Sequence, residues 1–353
     1  MTTLVDKFGR DIRYLRISVT DRCDLRCVYC MSEKMKFLPK ADLLTFEELA
    51  KIAHRFIDFG VQKIRISGGE PLVRKDIMAL FADIAPRLNK GLSELTLTTN
   101  GTQLEKYADK LAALGMRRLN LSLDSLNPET FTKLARRNVL PQVLSGIKAA
   151  KEAGLHLKIN TVLLPENIDE IPDMMRWAHG QGFNMSLIEI MPMGQTDTDR
   201  RQQFVPMTHA KDVLNEAFTL TPILKKDALG GPARYSHVAE TGGKIGFISP
   251  LTNNFCAACN RVRLTCTGRI YMALAKRIIL IFAARYERVA TLMSKSRARS
   301  TSSPRPMILP YLTPPPSPAT CRLREDRPWH SLNFLAACLS VLRRKCSSLF
   351  QAT

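Results

Sequence analysis

Six short apolar runs of strand character alternate with amphipathic segments between residues 14 and 191, and that alternation restricts the fold more than any other feature of the chain. The runs are YLRISV (14–19), KIRIS (63–67), ELTLTT (94–99), RLNLSL (118–123), LKINTVL (157–163) and SLIEIM (186–191). Between them lie TFEELAKIAHRFIDFG, IMALFADIAPRL, LEKYADKLAALG, VLSGIKAAKEAG and IPDMMRWAHGQG, several of them closed by glycine, the usual helix stop. Repeated β-then-α units predict parallel strands joined by right-handed crossovers, an α/β fold of the open or partial β/α barrel kind. In such a fold functional groups stand at the C-terminal ends of the strands.

The first predicted strand runs into TDRCDLRCVYC, with Cys23, Cys27 and Cys30 in a C-x₃-C-x₂-C run. A lone cysteine is often a small buried hydrophobe, but three within eight residues are not explained that way. The opening residues, MTTLVDKFGRDIR, lack the apolar core of a secretory signal, so the expected compartment is the cytoplasm, where clustered cysteines bind metal more often than they pair. A structural zinc site usually takes four protein ligands, whereas a [4Fe–4S] cluster on three thiolates leaves one iron open. The second strand ends in SGGEP, Ser67 to Pro71, which alone reads equally well as a glycine-permitted tight turn. Cys256 and Cys259 form a C-x₂-C, which by itself is half a zinc site or a redox pair. Arginines at strand ends are, without further context, solvated or paired surface groups.

Taken together these stretches resemble a known family. The cysteine run, with Tyr29 before its last cysteine, and the GGEP stretch resemble the radical S-adenosylmethionine (SAM) enzymes. The ordered agreement of YLRISVTDRC, KIRISGGEPLVR, LTLTTNGT, LNLSLDSL, KINTVLL, IGFISP and FCAACNRVRL over about residues 10–272 is similar to the GTP 3′,8-cyclases of molybdenum cofactor biosynthesis. The resemblance implies a radical SAM partial barrel over residues 1–225, followed by a substrate and second-cluster region over 226–272. It implies two [4Fe–4S] clusters, one on Cys23, Cys27 and Cys30 and one on Cys256 and Cys259. It places SAM against Tyr29, Gly69, Ser122 and Met191, and GTP against Arg16, Arg65, Thr98, Lys158, Arg261, Val262 and Arg263. Arginine forks and lysine point charges suit a triphosphate. The implied reaction begins when an electron from the first cluster cleaves SAM, and the resulting radical takes hydrogen from the ribose C3′ so that the sugar closes onto guanine C8. No side chain is implied as acid or base. The implied partners are GTP, SAM, an electron donor and the downstream cyclic pyranopterin monophosphate synthase; a homodimer is compatible, and neither a membrane nor a specific nucleic acid is expected.

The chain departs from the family pattern at three places. Ser186 stands where the family usually has arginine, Ala273 where the third ligand of the second cluster is expected, and the family's terminal Gly-Gly is replaced by Gln351, Ala352 and Thr353. Cys266, on the predicted strand RVRLTCT, is a cysteine at a position the family does not use. The alternative to full activity is therefore a relative that binds SAM and GTP and cleaves SAM without productive cyclisation. Of a net charge of +20, residues 276–353 supply 14 Lys and Arg against 3 Asp and Glu, so the charge does not mark the body as a nucleic-acid binder. That tail, 273–353, is rich in Pro, Ser and Arg and is expected to bury little. Three readings of it stand: a basic arm for RNA or anionic lipid, a lineage-specific extension, and an out-of-frame continuation. The composition favours the third, because shifted reading of GC-rich codons yields Arg, Ser, Pro, Ala and Cys without helical periodicity. The longest apolar stretches, such as IILIFAA (278–284), are shorter than the roughly 18 residues a membrane span needs.

Overall fold

The computed structural model describes residues 4–6, 9–191, 196–224, 231–253, 259–271, 279–281 and 307–308. The expected second-cluster positions Cys256 and Ala273, and almost all of the tail, lie outside the described residues. The six predicted strands form close to where alternation places them: β2 (Tyr14–Ser18), β3 (Lys63–Ser67), β4 (Glu94–Thr99), β5 (Arg118–Ser122), β6 (His156–Val162) and β7 (Asn184–Ile188), after a short β1 (Leu4–Val5). Later in the chain come β8 (Leu220–Pro222), β9 (Arg234–Val238), β10 (Lys244–Ile248), β11 (Arg261–Leu264), β12 (Arg269–Tyr271), β13 (Ile279–Ile281) and β14 (Met307–Ile308).

Twelve of these strands make one sheet in the order β13-β12-β11-β2-β3-β4-β5-β6-β7-β10-β9-β8, and β1 pairs with β14. From β11 to β10 every pairing is parallel, and both flanks turn antiparallel. The sheet is thus an open mixed one, in which β10 and β11 extend the six predicted strands on either side. Parallel pairing of β11 with β2 aligns Arg263 with Arg16, which in turn aligns with Arg65 and Thr96.

The connecting helices are α1 (Phe46–Asp58), α2 (Ile77–Ile84), α3 (Leu104–Ala113), α4 (Pro128–Ala135), α5 (Leu140–Glu152), α6 (Ile171–Gly180) and α7 (Met207–Asn215). Thr45 starts α1 with a capping box, accepting from the Glu48 amide while the Glu48 carboxylate accepts from the Thr45 amide. The apolar faces of these helices and one face of the sheet share a single core that includes Leu15, Ile17, Ile64, Ile66, Leu119, Leu121, Ile159, Met185 and Leu187. Because strand side chains alternate, the intervening residues Arg16, Arg65, Thr96, Thr98, Asn120, Lys158 and Ser186 line the opposite face. A one-residue slip in any of these strands would exchange the two sets.

Candidate active site

The cysteine loop leaves the C-terminal end of β2 and is held there by backbone. Val19 N donates to Ser67 O (2.8 Å), Gly69 N to Thr20 O (2.8 Å) and Glu70 N to Arg22 O (2.8 Å), so the loop lies along the GGE stretch that ends β3. The approach requires glycine: a Cβ on Gly69 would sit 2.3 Å from Arg22 O, and one on Gly68 would sit 2.7 Å from Thr20 O. On its far side the loop is tied to the end of α4, with Arg26 N donating to Ala135 O (3.0 Å) and Val28 N to Leu134 O (2.9 Å).

A polar network supports the first cysteine from below. Glu70 is fully buried and accepts from Leu72 N (2.9 Å), Thr99 Oγ1 (2.9 Å) and Asn100 N (2.6 Å). Burial pushes its carboxyl up to about 7 against the pull of those three donors. The Asn100 amide donates to Asp24 Oδ1 (2.7 Å) and lies 3.8 Å from Cys23 Sγ, while Thr102 Oγ1 donates to Asp24 Oδ2 (2.5 Å). Tyr29 donates to Asp124 Oδ2 (2.7 Å), and Asp124 Oδ1 accepts from Val162 N (2.9 Å), fixing the ring between β5 and β6.

The three thiols lie near enough to sense one another's charge. Burial pushes Cys23 up to about 12 and raises Cys27 and Cys30; Cys23 and Cys27 both feel Cys30 as a like charge, and Cys27 also feels Cys23. Thiols in such surroundings ionise only beside a compensating positive centre. Among the described residues no three His, Cys, Asp or Glu side chains close around a single metal ion. A lone zinc with bonds of about 2.3 Å would need its sulfurs nearly in contact, whereas a cluster separates them by its own width. Three thiols on one loop in a C-x₃-C-x₂-C run, with Cys23 and Cys27 both sensing Cys30, are a donor set that suits a [4Fe–4S] cluster.

Deeper along the same strands lies a cationic floor. Arg16 donates to Ser67 Oγ (3.0 Å), and its guanidinium is brought down to about 10, first by burial and then by Arg65, Arg263 and Arg261, with Tyr14 opposing. Arg65 and Arg261 lie over the Tyr14 ring, 5.5 and 5.1 Å from its centroid. The Nε atoms of Arg65 and Arg261 and the Tyr14 hydroxyl are buried without a hydrogen-bond partner. Lys158 donates to the Tyr235 hydroxyl (2.8 Å), and its own ammonium is lowered chiefly by burial. Crowded, half-desolvated cations with idle donors are an unfavourable arrangement that an anion relieves.

The sequence of this chain matches two family models, the radical SAM superfamily over residues 17–178 and Molybdenum Cofactor Synthesis C over residues 183–280. It is 54% identical over 275 residues to the GTP 3′,8-cyclase of Brucella canis, covering 77% of this chain and 79% of the relative. It is 55% identical over 275 residues to the GTP 3′,8-cyclase of Mesorhizobium japonicum, covering 77% and 82%. The chain belongs to the GTP 3′,8-cyclase family. Its fold resembles that of Streptococcus suis SuiB bound to S-adenosylmethionine, with a TM-score of 0.53 at 17% identity over 80% of this chain and 67% of the other. The complex of SuiB with its precursor peptide gives 0.56 at 16% identity, covering 80% and 66%. At that identity the likeness shows the radical SAM fold alone.

Within this family member, the expected SAM positions Tyr29, Gly69 and Ser122 all lie at the C-terminal ends of strands or on the cysteine loop. Met191 follows β7, and its carbonyl accepts from Arg200. Of the expected GTP positions, Arg16, Arg65, Arg261 and Arg263 come together as one charged group; Thr98 and Lys158 align in register through Asn120. Val262 differs: it is fully buried and its side chain belongs to the helix-side core. Cys259 is half-buried, while its expected partner Cys256 lies outside the described residues. Cys266 follows β11 and is buried near Asp21 and Arg74, its carbonyl accepting from Leu44 N (2.8 Å). Sequence reasoning missed Tyr14, Tyr235, Asp24, Asn100 and Asp124. Tyr14 carried a signal, since it stands two residues before Arg16 and so shares its face.

Proposed function

We propose that this chain cyclises GTP to (8S)-3′,8-cyclo-7,8-dihydroguanosine 5′-triphosphate, the first step of molybdenum cofactor biosynthesis, with SAM as co-substrate. The observation that carries the reading is the half-buried cationic floor built from β2, β3, β6 and β11, two of which, β2 and β3, lead into the cysteine loop and the GGE stretch at their C-terminal ends. When bound, the [4Fe–4S] cluster on Cys23, Cys27 and Cys30 supplies the electron for cleavage of SAM. The chain's own groups bind and orient. Gly68 and Gly69 let the GGE backbone lie against the cysteine loop without a side chain between, leaving Gly69 open to SAM, and Tyr29, expected against SAM, is fixed through Asp124. Arg16, Arg65, Lys158, Arg261 and Arg263 hold the phosphates, so that the sugar projects toward the strand ends. Partial burial of the floor strengthens contacts between these cations and a phosphate.

A second [4Fe–4S] cluster on Cys256 and Cys259, within the region 226–272 after a barrel of 1–225, would hold the purine. Ala273 favours a second reading, in which SAM and GTP bind but cleavage is uncoupled from cyclisation. The remaining partners are an electron donor and cyclic pyranopterin monophosphate synthase, in the cytoplasm; a homodimer is compatible. No helix of the described residues is long and apolar enough to cross a membrane. Anaerobic reconstitution, with iron counting and separate assay of 5′-deoxyadenosine and cyclised nucleotide, tests both readings. Cyclised product supports the first; 5′-deoxyadenosine alone, with iron nearer four than eight per chain, supports the second. Persistence of 5′-deoxyadenosine formation in Cys27→Ala refutes both.

A further inference from the structure

Lys158, Ser186, Gly246 and Tyr235 sit on four successive strands, β6, β7, β10 and β9. Ser186, Gly246 and Tyr235 are direct register partners. Neighbouring strands lie about 4.8 Å apart, so the phenol must lean over both intervening strands to meet Lys158. Gly246 makes this geometrically open: a Cβ there would stand 2.5 Å from Ser186 Oγ and 2.9 Å from Tyr235 Cε1. The side chains on either side thus close in over a residue that has none.

We propose that Tyr235 and Ser186 form a hydroxyl donor pair that, beside Lys158, binds the phosphate end of the nucleotide. The inference rests on the GTP reading above and adds two residues to it. Lys158 Nζ donates to the Tyr235 oxygen (2.8 Å), so a lone pair of that oxygen is occupied and its own proton is left to give. Ser186 is fully buried, and its Oγ makes no hydrogen bond of proper geometry although it lies close enough to act on the phenol. Burial alone would raise the Tyr235 phenol, but the Lys158 charge and hydrogen bond, with Ser186 and Arg65 nearby, bring it below the ordinary tyrosine range. A polarised phenol is the better donor to an anion. Two hydroxyl protons and an ammonium, gathered over a bare glycine on the cation-lined face, match the several acceptor oxygens of a phosphate chain. A buried serine oxygen with no partner is otherwise a cost to the fold.

The test uses the anaerobically reconstituted full chain and titration calorimetry with three probes: GTP, inorganic tripolyphosphate and guanosine. Tyr235→Phe removes only the hydroxyl, and is expected to weaken tripolyphosphate about tenfold or more, the usual effect of one hydrogen bond to a charged group, while guanosine stays within about twofold. Ser186→Ala is expected to weaken tripolyphosphate about threefold, and it decides the matter if Tyr235→Phe does not fold. Unchanged tripolyphosphate affinity in the folded variants overturns the proposal. So does an equal loss for guanosine, which would mean a general distortion. Wild-type protein that binds GTP but not tripolyphosphate overturns the donor pair and leaves the GTP reading standing; wild-type protein that binds neither overturns both.

Discussion

Replacing Gly69 by alanine tests whether the cysteine loop is positioned by backbone packing. A Cβ at residue 69 would lie 2.3 Å from Arg22 O, 2.6 Å from Arg22 C and 2.8 Å from Asp21 O, where ordinary contact begins at 3.4 Å. The shortfall is about 1 Å, and no side-chain rotation relieves it because all three atoms are main chain. Separating the two segments by that much would stretch Gly69 N to Thr20 O and Glu70 N to Arg22 O, both now 2.8 Å, beyond hydrogen-bonding range. Two lost bonds at about 1 kcal/mol each and overpacking of about 1–3 kcal/mol put the destabilisation at about 3–5 kcal/mol. Cys23 is the next residue after Arg22, so the displacement is delivered to the first thiol. Thermal unfolding of the apo chain, iron content after reconstitution and SAM affinity are the readouts. All three should fall together in Gly69→Ala. Gly180→Ala, at a helix position where a Cβ meets nothing within 4 Å, should leave them unchanged or slightly raise stability. Wild-type iron content and SAM affinity in Gly69→Ala would show that the glycine is not needed for close approach.

Two further outcomes concern buried titratable groups. Glu70→Ala strands three buried donors, while Glu70→Gln keeps one acceptor, so apo melting temperatures should rank wild type above Gln above Ala; equal values for the two variants would remove Glu70 as the organiser of this corner. His179 is held neutral, chiefly by burial, with Nδ1 paired to Thr241 Oγ1 (2.6 Å) and Nε2 to Lys244 O (3.3 Å). Its folded pKa lies below the ordinary 6.5, so its contribution is present above that value and is lost as pH falls through the folded pKa. The difference in apo stability between wild type and His179→Gln should therefore shrink on acidification from pH 7, and a difference that grows would contradict the burial argument.

The strands and the cysteine loop were legible in the sequence because both are local patterns: alternation over five or six residues, and thiols at fixed spacing. Helix α4 left a readable signal that alternation of long segments obscured, namely Asn127 capping the Glu129 and Thr130 amides with Pro128 at the first helical position. β9 and β10 are short, and their place beside β7 follows from a parallel pairing across about sixty residues that no local pattern announces. The cations were visible as residue types, but their convergence was implied only by the family resemblance. The contact of Lys158 with Tyr235 spans 77 residues and depends on glycine at 246, a residue that reads from sequence as a weak point in a strand.

Register also sets the spacing between the positions expected for the two ligands. Arg263, Arg16, Arg65 and Thr96 form one row across the sheet; Thr98, Asn120 and Lys158 form another nearer the strand ends. Ser122, expected against SAM, stands two residues beyond Asn120 on β5, about 7 Å further along the strand. The cationic rows and the row that holds Ser122 are therefore adjacent pleats of the same sheet, and their separation is set by backbone hydrogen bonds and not by loop conformation. The later part of the chain joins this arrangement by inserting strands: β11 places Arg261 and Arg263 beside β2, and β10 brings Gly246 and the β9 phenol beside β7. The positions expected against SAM, Tyr29, Gly69, Ser122 and Met191, all lie at or before Met191, whereas the clustered cations come from β2, β3 and β6 and, beyond that point, from β11, so the cationic floor is completed only when the later part of the chain joins the sheet.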